Sequence, residues 1–138
     1  MNNWKALFAA ALISTTMPIA ALAGDGPFRV LVLDDMSGMF AANGGPGTLL
    51  AVKLAVEDVG GKVLGREISV LQADHQNKPD VGSAQAQRFI DEQGIKAMTL
   101  GGSSAVGLAA QARAAEAGVF TLVSGGYAPG FSESQCSP

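Results

Sequence analysis

Four short clusters in this sequence carry residue types able to do chemistry. Gly101-Gly102-Ser103-Ser104 joins two glycines, which let backbone N–H groups approach a ligand, to two hydroxyl donors. At the start of a helix the same cluster gains an attraction for anions and becomes a cradle for a carboxylate or phosphate. Ordinary helix capping accounts for only one of the serines. Ser124-Gly125-Gly126-Tyr127 repeats the recipe, and Tyr127, the only tyrosine, offers a ring and a hydroxyl either to a ligand or to the core. Asp34-Asp35 has the look of a metal-binding acidic pair. Asp74-His75-Gln76 places the only histidine beside a carboxylate, as a general base requires.

The last two clusters weigh less than the first two. No nucleophile stands beside His75, and G-x-S-x-G, P-loop and G-x-G-x-x-G patterns are absent. His75 therefore reads as a solvated loop histidine, and no catalytic residue is expected. The acidic pair resembles that of a response-regulator receiver domain. A receiver, however, phosphorylates an Asp at the end of its third strand and carries a Lys after its fifth. Here that strand ends in Leu100-Gly101 and no Lys follows Lys96. The pair is read as polar loop residues. One Cys and one His cannot build a zinc site or a disulfide framework, so no metal and no cofactor is expected. Nine basic against twelve acidic residues argue against a nucleic-acid partner.

The positioning elements alternate. Phe28–Leu33 is an unbroken β-favouring run, the mark of a strand buried on both faces of a parallel sheet. Gly44, Gly45, Pro46 and Gly47 form a loop into a helix over Thr48–Val59, ended by Gly60-Gly61. Glu67–Ala73 is the second strand. A helix over Val81–Gln93 follows, with Pro79 at its first turn and Gly94 as its cap. Ile95–Leu100 is the third strand, Ala105–Ala117 an Ala-rich helix with Ser103 or Ser104 as N-cap, and Val119–Val123 the fourth strand. Ser124–Pro138 has no periodicity and reads as a loop. About four strands with three crossover helices make an α/β fold with an open, doubly wound parallel sheet. Such sheets bind ligands at the carboxyl ends of their strands. All four clusters fall there.

The N-terminus is read apart from this domain. Met1–Lys5 is short and carries one positive charge, Ala6–Ala20 is apolar, and Ala21-Leu22-Ala23 supplies the small residues of a cleavage site. This is the pattern of a secretory signal peptide over residues 1–23. The run is shorter than the roughly 20 apolar residues of a spanning helix. The mature chain is expected to be Gly24–Pro138, soluble and periplasmic; a lone Cys136 is unusual in an oxidising compartment, and its state stays open.

From Phe28 onward the chain resembles the first lobe of periplasmic solute-binding proteins of ABC importers, in the branched-chain amino acid (Leu/Ile/Val) binding family. The resemblance lies in VLVLDDMSGMFAANGGPG (30–47), the segment from Ala51 to Asp91, GGSSAVGLA (101–109), VFTLVSGG (119–126) and the closing CSP. It implies two α/β lobes closing on a ligand, an inner-membrane ABC permease as partner, and no enzymatic activity. By the same resemblance Ser103 and Ser104 match carboxylate-binding serines and Gly126 matches a backbone contact. Gly102, Ser124 and Tyr127 complete the expected ligand-binding set. Where the family usually carries a Ser or Thr for the ligand's ammonium, this chain has Ala128, followed by Pro129. Amides, small carboxylates and aromatic acids thus stay open beside amino acids. Resembling proteins are longer by a second lobe, which makes this chain an incomplete lobe in expectation. The competing reading is a small exported α/β enzyme or sensor.

Overall fold

The computed structural model describes residues 26–136. The expected signal segment lies outside the described residues. Five strands and three helices follow in the order β1 (Phe28–Asp34), α1 (Gly45–Asp58), β2 (Lys62–Val63), β3 (Arg66–Asp74), α2 (Pro79–Gln93), β4 (Ala97–Leu100), α3 (Ser104–Glu116) and β5 (Phe120–Val123). A single 3-10 turn, Pro129–Phe131, interrupts the segment expected to be irregular. None of the described helices is long and apolar enough to cross a membrane.

The sheet order is β2-β3-β1-β4-β5, and every pairing is parallel except β2 with β3. The chain moves from β1 to β3 on one side, then returns over β1 to β4 and β5. The right-handed crossovers that such connections favour would put α1 on one face and α2, which packs on α3, on the other. The doubly wound parallel sheet expected from the sequence is present. Its reversal of direction lies between β1 and β4, whose following loops run to opposite faces and open a crevice there.

Two local readings need correction. The four expected strands become five, because Lys62–Val63 turns back onto Arg66–Glu67 through Leu64 (φ 49°) and Gly65 (φ 78°). Two consecutive positive φ values make the tight hairpin turn, and an arm of two residues has no periodicity to read. The other correction is the start of α1 at Gly45 rather than Thr48. Pro46 sits in its first turn, where a missing N–H costs nothing. The expected loop glycines are thus partly helix. The remaining ends shift by three residues or fewer, and Gly94 caps α2 in the left-handed region at φ 57°.

The core lies between the sheet and the α2–α3 face. Leu31, Leu33, Met98 and Leu100 of the two central strands meet Ala86, Ala110 and Ala114 of the helices, all buried. Small residues let the two helices approach closely, and Gly82 marks the tightest point. A Cβ there would overlap Cγ1 of the buried Val106. On the opposite face α1 packs on β1 and β3, while Phe120 and Leu122 of β5 stay 63% and 55% exposed. Substituting Gly82→Ala is therefore expected to destabilise the chain despite Ala's better helix propensity. Overpacking costs about 1–3 kcal/mol, against a helix gain of roughly 1 kcal/mol. Urea unfolding checks this, and adding Val106→Ala should recover part of the loss.

Candidate functional site

The β1–α1 loop is held by carboxylates. Asp35 accepts from the backbone N–H groups of Gly38 (2.7 Å) and Phe40 (2.9 Å). Asp74 Oδ1 accepts from Met36 (3.1 Å) and Gln76 (2.9 Å) N–H groups, and its Oδ2 accepts from the Ser37 hydroxyl. These bonds fold the loop back over the strand ends. Asp34 and Asp35 are both fully buried, which corrects their reading as polar loop residues. The physical reason is that the tight loop brings unpaired backbone donors, which a solvated acid would leave unsatisfied.

His75 is corrected in the same way. It is fully buried rather than solvated. Its Nδ1 accepts from the Asn77 N–H at 3.0 Å, so the ring proton sits on Nε2 and is donated to the Gly101 carbonyl at 3.0 Å. The ring is a strut beneath the Gly101 loop. It does not line the cleft.

The cleft itself, of about 230 Å³, opens between the ends of β1, β4 and β5. The β1–α1 segment contributes Phe40, Asn43, Gly44 and Thr48; the β4–α3 turn contributes Gly101 through Ser104; Ser124, Gly125 and Tyr127 come from beyond β5. Asp34 completes the lining. Five of the six expected ligand-binding residues, Gly102, Ser103, Ser104, Ser124 and Tyr127, thus meet in one cavity. Gly126 does not line it, and a Cβ there would run into the ring of Phe131.

The two Gly/Ser clusters are in backbone contact. A Cβ on Gly125 would come within 2.8 Å of the Gly102 nitrogen, so glycine is needed for the loops to meet. Ser104 ties them together by accepting from the N–H groups of Tyr127 (2.9 Å) and Ala128 (3.1 Å). The Ser124 hydroxyl donates to the Leu100 carbonyl at 3.3 Å and keeps its lone pairs. Ser103 is the N-cap of α3, yet its hydroxyl makes no capping bond. It stands half-buried in the cleft with its donor unspent, next to the N–H groups that the first turn of any helix leaves free. The site can grip an anionic oxygen.

A family model described as periplasmic binding protein matches residues 27–138. The chain belongs to that family. Among solved structures, a periplasmic binding protein from Burkholderia mallei is 38% identical with a TM-score of 0.79, over 83% of this chain and 31% of that one. A branched chain amino acid ABC transporter periplasmic ligand-binding protein from Burkholderia xenovorans is 32% identical with a TM-score of 0.75, over 80% of this chain and 29% of that one. A solute-binding protein of an ABC transporter from R. palustris, in complex with benzoate, is 26% identical with a TM-score of 0.72, over 82% of this chain and 31% of that one. No curated protein matches the chain. It spans less than a third of the length of each of these solved relatives. Family membership implies a periplasmic location, and the sheet corresponds to part of a periplasmic-binding-protein lobe.

Sequence reasoning missed Asp34, Phe40, Asn43 and Thr48 as cleft residues. A signal for Asp34 did exist: a carboxylate closing a strand buried on both faces, in a chain with glycine clusters at 44–45 and 101–102. Asp74 supplies a pH test of the loop. Its burial raises the carboxyl pKa, but the hydrogen bonds from Ser37, Gln76 and Met36, together with the adjacent His75, outweigh this and hold it below the ordinary value. A depressed carboxyl stabilises the fold above its unfolded pKa, about 3.9, and the contribution disappears as pH falls through the folded value. Asp74→Asn should therefore destabilise the chain at pH 7 and lose that deficit progressively as pH falls through the folded value of Asp74. Unfolding midpoints of both forms across that range check the sign.

Proposed function

We propose that this chain is the ligand-cradling lobe of the extracytoplasmic substrate-binding component of an ABC importer for amino acids or similar small carboxylate or amide solutes. The observation that carries the reading is Ser103, an N-cap residue whose hydroxyl is not used for capping and which lines the cleft at the start of α3. A ligand carboxylate there accepts from this hydroxyl and from the free N–H groups of the helix start. Ser124 lies across the same cleft, and Gly102 and Gly125 keep side chains out of it. The ligand-binding set of the proposal is Gly102, Ser103, Ser104, Ser124 and Tyr127 in the cleft, with Ser104 acting mainly by holding the two loops together and Gly126, behind the cleft against Phe131, kept on the family resemblance alone. The family and the benzoate complex of the R. palustris relative support a small organic solute as cargo. The partner is an inner-membrane permease.

Ser103→Ala should weaken binding without unfolding the chain. A hydrogen bond to a charged group is worth about 1.5–3 kcal/mol, so the loss should be roughly ten- to a hundredfold in Kd. Titration of the ¹⁵N-labelled chain with leucine, 4-methylpentanoate and benzoate, followed at the amides of 101–104, measures it. Equal affinity of wild type and variant for every probe would remove Ser103 from the site.

Residues 1–23 are proposed as a cleavable signal peptide and 24–138 as lobe sequence. The support is the charged start, the short apolar run and the Ala21-Leu22-Ala23 ending. Mass spectrometry of the exported protein should find Gly24 at the N-terminus. Retention of Met1 in the exported form would refute the assignment.

A further inference from the structure

The chain beyond β5 runs back along α3 and is fastened to it at successive turns. Ser104 accepts from the Tyr127 and Ala128 N–H groups, and Gln111 donates to the Gln135 carbonyl at 2.8 Å. Between these two ties lies Phe131. A Cβ on Gly107 would come within 2.8 Å of its Cζ, and one on Gly126 would overlap its Cε2. Ser104, Gly107 and Gln111 recur at the three- and four-residue spacing that puts side chains on one face of a helix. The ring of Phe131 thus fills a notch that two glycines, one on each side, leave open.

The segment that carries the ring is stiffened by its own turns. The Phe131 N–H donates to the Ala128 carbonyl at 3.3 Å, and Ser132 and Glu133 donate to that of Pro129 at 3.0 and 3.1 Å. Gln135 donates to Gly130 at 2.9 Å, and the Pro129 ring fixes φ at the start of the turn. A displacement of Phe131 is therefore passed back to Tyr127 rather than absorbed between them. Tyr127 lines the cleft; Phe131, Gly107 and Gln111 do not. Hydrogen bonds that water can replace add little on their own, so burial of the ring supplies much of the hold.

We infer that Phe131 is a positioning residue of the cleft: seated between Gly107 and Gly126, it latches segment 124–128 onto the start of α3 and so sets Tyr127 at the mouth. With the ring unseated, the bonds of Tyr127 and Ala128 to Ser104 and the close approach of Gly125 to Gly102 loosen together. The inference rests on the cleft reading above and adds that one wall of the cleft is held from outside it. Apparent affinity then falls in proportion to the fraction of chains whose latch is seated.

Gly107→Ala separates this role from general stability. Alanine is the better helix former, and beyond the helix itself only Phe131 ring atoms would lie closer than 3.9 Å to the new methyl. In the ¹⁵N-labelled variant the Tyr127 and Ala128 amides should exchange with solvent about tenfold faster or more, while those of β1 keep their protection. Adding Phe131→Leu, which removes the colliding ring atoms, should bring the exchange back toward wild type. Leucine, 4-methylpentanoate and benzoate are the binding probes. Those that bind should lose about two- to tenfold in affinity in Gly107→Ala and regain it in the double variant. Unchanged exchange at 127 and 128 in Gly107→Ala, or no recovery in the double variant, would overturn the latch. Faster exchange with unchanged affinity, where Ser103→Ala still weakens binding, would overturn the positioning role and leave the cradle standing. A wild type that answers no probe at 101–104 would overturn the cradle and with it the part of Phe131 in binding, while the exchange rates still decide the latch. If Gly107→Ala does not fold, Phe131→Ala is read by the same exchange and affinity measurements.

Discussion

The geometry of this lobe depends on how closely the β4–α3 turn approaches the end of β1. Gly101 lies directly against the Asp34 carboxylate, where even a single methyl group would collide. Its N–H donates to the Leu33 carbonyl at 3.1 Å, and its own carbonyl accepts from the buried His75 ring. Three elements that are distant in sequence therefore converge on one glycine. Because that turn is fixed, Ser103 is fixed, and α3 begins at the crevice with the N–H groups that any first turn leaves free. Displacing Gly101 would move the floor and wall of the cleft together.

The same contact explains why the acids at strand ends have different roles. Parallel strands deliver their carboxyl ends to one edge of the sheet, where loops start with unpaired backbone donors. Asp35 and Asp74 satisfy those donors and give the β1–α1 loop its shape. Asp34 sits on the side facing β4, where glycines replace donors, and it finds only one. Two acids hold the loop and one keeps an unpartnered oxygen against the glycines of the β4–α3 turn. Asp34 pairs with Asp74 across β1 and β3, whereas Asp35 has already left the strand.

Much of this was legible in the sequence, because long unbroken apolar runs and glycine-ended helices are strong local signals. Phe28–Leu33 could only be an interior strand, and Gly94 could only end α2. Convergence of the two Gly/Ser clusters followed from topology, since neighbouring strands present their loops side by side. What escaped was decided by tertiary contact. The Lys62–Val63 arm depends on pairing with Arg66–Glu67, and α1 extends through Pro46 because its first turn tolerates proline. Burial of Asp34 and His75 was hidden for the same reason. Nothing local distinguishes an acid solvated at a loop from one enclosed by Gly44 and the far more distant Gly101.

Tyr127 shows how far the open cleft can go alone. Its backbone N–H is anchored on Ser104, yet the side chain is 92% exposed above a cavity that opens to solvent. An aromatic ring positioned by its backbone but covered by nothing gains little from the hydrophobic effect in this state. A ligand seated on the cradle would cover part of the ring, and so would a surface closing over the cleft. In either case the polar contacts below are the ones that gain most. Electrostatic and hydrogen-bond terms strengthen as water is displaced, so the hydrogen bonds proposed for a carboxylate at Ser103 and the start of α3 would become more discriminating as the cleft is covered.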